Sequence, residues 1–72
     1  MRYAREVGPG DSGMRISLRR RLAEGGYGDV LGVLSSWAGG VVTVVRSDGS
    51  SVVVDEVDVV ATRRIPPPPA RR

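Results

Sequence analysis

An all-β domain is the fold class this sequence predicts, and three features predict it. Met14, Ile16 and Leu18 alternate with Arg15, Ser17 and Arg19, the period-2 pattern of a half-buried strand. Val41, Val42, Thr43, Val44 and Val45 form a β-branched run suited to a pleated sheet. Short apolar runs are separated by glycine-bearing breaks at 24–28, 38–40 and 47–50, each a place where the chain can reverse.

The elements follow in order. Residues 1–13, with Gly8, Pro9, Gly10, Ser12 and Gly13 and no apolar period, read as a flexible or loosely attached arm. A first strand is expected from Met14 to about Leu22. Glu24 to Asp29 form a glycine-rich loop, read as a long excursion rather than a two-residue turn. A second strand covers Val30 to Trp37, and Ala38, Gly39 and Gly40 turn the chain into the third, Val41 to Arg46. Asp48-Gly49 is a hairpin signal before a fourth strand, Ser51 to Val54. Asp55, Glu56, Val57 and Asp58 break the alternation as a single helical or 3₁₀ turn would, and a last strand runs from Val59 to about Arg63. Pro66 to Pro69 end the domain in polyproline II. Five short strands, a long first loop, two tight hairpins and a one-turn helix before the last strand describe a small SH3-like barrel over 14–64, followed by a proline/arginine linker over 65–72. An OB-fold, which needs a helix between its third and fourth strands and more residues, ranks second.

Composition narrows the chemistry. The chain has 72 residues, and one this short buries only about 60% of the surface its unfolded form exposes. Cysteine and histidine are both absent, which removes disulfides, thiol nucleophiles, imidazole bases and structural zinc. These absences argue against a self-contained hydrolase or metalloenzyme, so no catalytic, cofactor-binding or metal residue is assigned. No apolar run approaches the roughly 20 residues of a membrane span and no signal-peptide stretch follows Met1, so the expected compartment is cytoplasmic.

All eleven basic residues are arginine, and the formal net charge is +3. Basic character points to nucleic acid or another anionic partner. Its distribution weakens that inference, because residues 10–62 carry five arginines against seven carboxylates. An arginine-only composition is also what a GC-rich genome produces by codon usage.

Three candidate surfaces emerge. Only one face of each strand can point into so small a barrel, so Val41, Val45 and Val53 are left for the outside. They are covered by loops and the N-terminal arm, or they dock on another domain or subunit. Trp37, at the end of the second strand, is a rim-packing or buried residue or an anchor for the same docking face. Arg15, Arg19 and Arg21 share one strand face and, with Arg46, could contact phosphate or an acidic partner; a solvated strand face is the plain alternative. Arg63, Pro66 and Pro69 have the spacing of a polyproline ligand, though a semi-rigid spacer explains the same residues more simply.

Two further groups are set aside. Gly25, Gly26, Tyr27, Gly28 and Gly32 fit neither a Walker loop nor a dinucleotide fingerprint and read as loop glycines. Asp55, Glu56 and Asp58 lack the other oxygen ligands of a calcium site.

Arg19 to Leu22, Asp29-Val30-Leu31-Gly32, Ser36-Trp37, Gly40, Asp48-Gly49, Asp58-Val59-Val60 and Arg64-Ile65-Pro66-Pro67 together resemble the SH3-like N-terminal domain of actinobacterial GNAT-type N-acetyltransferases, some described as histone acetyltransferases. The resemblance covers about residues 8 to 67. It implies a noncatalytic accessory module, with the GNAT catalytic domain in cis, or another protein, as partner. Acetyl-CoA would then belong to the catalytic domain, not to this chain. The acetyl-CoA signature Arg/Gln-x-x-Gly-x-Gly/Ala has no match, since Arg21 stands four residues before Gly25. A free-standing basic barrel that binds nucleic acid or an acidic partner is the alternative.

Overall fold

The computed structural model describes residues 7–66. Five antiparallel strands form one sheet: β1 (Arg15–Arg21), β2 (Tyr27–Ala38), β3 (Val41–Val45), β4 (Ser51–Asp55) and β5 (Val59–Arg64), in the order β4-β3-β2-β1-β5. Two one-turn 3₁₀ helices complete it, Pro9–Asp11 before β1 and Glu56–Asp58 between β4 and β5. The all-β expectation and the five-strand order along the chain hold. Among the described residues no ladder joins β4 to β5, so the sheet is not closed by hydrogen bonds.

Turn chemistry sets the hairpins. Gly39 and Gly40 have φ of 62° and 79°, a pair of positive values that only glycine adopts cheaply, and they join β2 to β3 directly after the Ala38–Val41 pair. At the β3–β4 turn the Asp48 carboxylate accepts hydrogen bonds from the Ser50 amide at 2.9 Å and the Ser50 hydroxyl at 2.7 Å. The β1–β2 connection differs from its expectation. Leu22 N donates to Gly26 O at 3.0 Å, and β2 already pairs at Tyr27 with Arg21. The expected long excursion is therefore a short closed turn, because Gly25 and Gly26, at φ 103° and 79°, reverse the chain at once.

The core lies on the concave inner face of the sheet. Ile16 and Leu18 on β1, Val30 and Leu34 on β2, Val42 and Val44 on β3, Val54 on β4 and Val59 on β5 are all buried, and Trp37 joins them at 7% exposure. Leu34 and Trp37 are three residues apart, an odd spacing that would place them on opposite faces of a regular strand. A bulge between Leu34 and Ser36 restores them to the same side. A second irregularity, opposite Arg19 and Arg20, lets Val59 and Thr62 of β5 both face inward.

Gly32 sits on the inner face between Val30 and Leu34. A Cβ there would collide with the Val45 carbonyl oxygen and come within 2.9 Å of Val44 Cγ1. This glycine lets β2 curl over β3, so its role is close backbone approach.

The expected loose arm over 1–13 is corrected for its described part. Val7 is 2% exposed and belongs to the core. Its amide donates to Thr62 Oγ1 at 3.1 Å, and the Thr62 hydroxyl donates back to the Val7 carbonyl at 3.1 Å. Asp11 Oδ2 accepts from Gly8 N at 2.9 Å, and Gly13 N donates to Leu34 O at 2.8 Å. A buried hydroxyl 55 residues away thus satisfies both backbone groups of Val7. Residues 1–6 of that arm lie outside the described residues, as does the tail beyond Pro66.

Candidate functional site

With the inner face filled, the outer face is what the domain presents. Registers place its residues in rows across the sheet. One row runs Arg15, Val33, Val45, Ser51; another runs Arg63, Ser17, Leu31; a third runs Thr43, Val53. Leu31 is 59% exposed, Val33 38% and Val53 61%, while Val41 and Val45 are half-buried. These side chains make an apolar band across β2, β3 and β4, flanked on β1 and β5 by Arg15, Arg19, Arg21 and Arg63.

Of the expected docking residues, Val41, Val45 and Val53 do lie together on this outer face. Trp37 does not. It pairs with Val42 on the inner face and is buried, so the bulge at Ser35 turns it into core and keeps it off the outer face. Leu31 and Val33 were missed, although they are central to the band. The run Val30 to Leu34 is apolar on both faces apart from Gly32, so its alternation carried no signal; only the ladder with β1 tells inside from outside.

The arginine stripe is brought together in part. Arg15, Arg19 and Arg21 share the outer face of β1, with Arg63 beside them on β5. Arg19 is committed within the sheet: its Nε donates to Asp29 Oδ1 at 2.9 Å and its second guanidinium nitrogen to Asp29 Oδ2 at 3.3 Å. The two residues face each other across the β1–β2 ladder, so the carboxylate neutralises the middle of the stripe. The Arg19 hydrogen bond, aided by its charge, holds the Asp29 carboxyl below the usual carboxylate range. Arg46 stands apart from β1, in the exposed turn between β3 and β4.

Arg20 points the other way. It lines an open groove of about 340 Å³ together with Leu22, Glu24, Val54, Asp55 and Asp58, and its buried Nε has no hydrogen-bond partner among the described residues. The polyproline reading of Arg63, Pro66 and Pro69 is altered at its first position. Arg63 pairs with Ser17 in β5, and Ile65 N still donates to Arg15 O at 2.9 Å, so the arginine belongs to the sheet and not to a free polyproline strand. Pro69 lies outside the described residues. Among those residues no cluster of carboxylates is placed to hold a metal ion, and no helix is long and apolar enough to cross a membrane.

Compared with known proteins, the chain matches no family model, no curated sequence and no solved structure.

Proposed function

We propose that this chain is a noncatalytic SH3-like interaction module that serves as the N-terminal accessory domain of a GNAT-type N-acetyltransferase, and that it docks through its outer sheet face. The observation that carries the reading is the apolar band of Leu31, Val33, Val45 and Val53. Five strands in the order β4-β3-β2-β1-β5, with a one-turn 3₁₀ helix before the last, support the SH3-like assignment. Apolar side chains left in contiguous rows on a solvent face are favoured when a second surface covers them. The partner is the catalytic domain in cis, which brings acetyl-CoA and the transfer chemistry, and arginines at the border of the band orient it by charge.

The deciding experiment is an immunoblot of source-cell extracts with an antibody raised against residues 7–66. A band heavier by a further domain, about 100 residues or more, is the expected result. A band near 7.7 kDa overturns the acetyltransferase assignment. In the longer protein, Leu31→Glu should lower solubility or acetyl transfer while the isolated domain keeps its stability.

A second reading rests on Arg15, Arg21 and Arg63 sharing one face: binding of a phosphate backbone. It requires affinity for a nucleic acid that falls steeply with salt and with Arg15→Ala plus Arg21→Ala.

A further inference from the structure

The two edges of the sheet are built differently. The β5 edge carries an irregularity opposite Arg19 and Arg20, two arginines (Arg63, Arg64) and a proline two residues beyond its end. Bulges, charges and prolines are the devices that stop an edge from pairing with another chain. The β4 edge, Ser-Val-Val-Val-Asp, has no bulge and no proline, carries its one charge at the terminal Asp55, and keeps an unbroken five-pair register with β3.

The ladder shows which backbone groups that edge offers. Arg46 N donates to Ser50 O at one end of the hairpin, and Glu56 N to Gly40 O at the other, both at 2.8 Å. Stepping inward by two, Val44–Val52 and Val42–Val54 are the hydrogen-bonded pairs. Ser51, Val53 and Asp55 therefore aim their N–H and C=O groups away from β3, and all three residues are exposed.

We propose that β4 pairs antiparallel with β4 of a second copy of this chain, about a two-fold axis at Val53. Such an interface is self-complementary, as a two-fold contact must be. Val53 faces Val53 of the second copy, and Ser51 faces Asp55 of the second copy on either side. Each of these residues then exchanges both of its outward backbone groups, and no carboxylate opposes another. Glu56 of the second copy falls level with Ser50, whose ladder neighbour on β3 is Arg46, so the acidic end of each strand lies alongside the basic turn of the other. A parallel pairing would instead stack Asp55 on Asp55. The proposal uses the rim of β4, not the outer band as a whole, and stands whether or not the band docks an acetyltransferase.

The test is sedimentation equilibrium of the full chain over increasing concentration. The mass should rise from 7.7 kDa toward twice that value. Val53→Lys and Val53→Glu should each weaken association about tenfold or more, since each places like charges face to face at the axis. An equimolar mixture of the two should associate again, because opposite charges then meet. Leu31→Glu, two strands from the edge, should leave association unchanged. If the Val53 variants fail to fold, cross-linking decides. The chain has no cysteine, so Val53→Cys should form an intermolecular disulfide across a pair roughly 5.5 Å apart at Cα. Ser51→Cys should not, because its two copies lie about 14 Å apart along the strands. A wild-type chain that stays monomeric up to about 1 mM, a mixture that does not re-associate, or equal cross-linking at 51 and 53 overturns the proposal. Binding of an unrelated extended peptide to a monomeric chain does so too.

Discussion

Leu31 and Leu34 are the same residue type, three positions apart in one strand, yet Leu34 is 0% exposed and Leu31 59%. The first is wedged among Val42, Val44 and Trp37; the second stands in an outer row beside Ser17. Their difference teaches that hydrophobicity alone does not select the core of this sheet. Strand parity and one bulge do, and the apolar residues on the losing side are left on the solvent face.

Substitution sharpens the contrast. Leu34→Ala should cost about 2–5 kcal/mol, a transfer term plus a cavity the packed face cannot close, whereas Leu31→Ala should stay within about 0.5 kcal/mol. Urea midpoints of the two variants measure it, and equal losses would erase the distinction between faces. Gly32→Ala comes next, at about 1–3 kcal/mol. The obstacle is the Val45 backbone, which has no rotamer to move to. Ala38→Gly, on the outer side of the same strand, should cost no more than about 1 kcal/mol in the same assay.

Thr62→Val should cost a further amount of about 1–3 kcal/mol although it conserves volume. It strands the buried amide and carbonyl of Val7. Thr62→Ser, which keeps the hydroxyl, should recover part of the loss, and hydrogen exchange of the Val7 amide should speed up in the valine variant alone. The smallest effect is expected on the outer face. The Arg19 hydrogen bond lowers the Asp29 carboxyl from 3.8, and hydrogen bonds from Ser50 lower that of Asp48. A carboxyl depressed in the folded state contributes stability above its unfolded pKa and loses it as pH falls through the folded value. Stability should thus be level above about pH 5 and decline below about pH 4. Both pairs are solvent-exposed, so the decline is shallow, and Asp29→Asn should flatten it further. A stability curve that rises on acidification would contradict this.

Much of the fold was legible because it is written in local chemistry. β-branched runs favour extended chain, Asp48-Gly49 and Gly39-Gly40 turn it, and the acidic break at 55–58 stops the alternation. The short β1–β2 turn was not legible: the six residues Glu24 to Asp29, with three glycines, fit a long loop as well as a tight one, and only the Arg21–Tyr27 pairing separates them. The site was legible in part. Val41, Val45 and Val53 follow from parity within β3 and β4, but Trp37 was placed by a bulge that two ordinary serines, Ser35 and Ser36, do not announce.

The sequence by itself determined that this chain is an all-β domain without thiol or imidazole chemistry, since composition and period-2 patterning depend on near neighbours alone. Tertiary structure decided which side of each strand is buried, that Arg19 spends its charge on Asp29, and that Val7 is core. It also decided that β4 and β5 form the two edges of the sheet. Each of these rests on pairing between residues 10 to 55 positions apart, where register, set by bulges and turns, chooses among partners that local preference cannot rank.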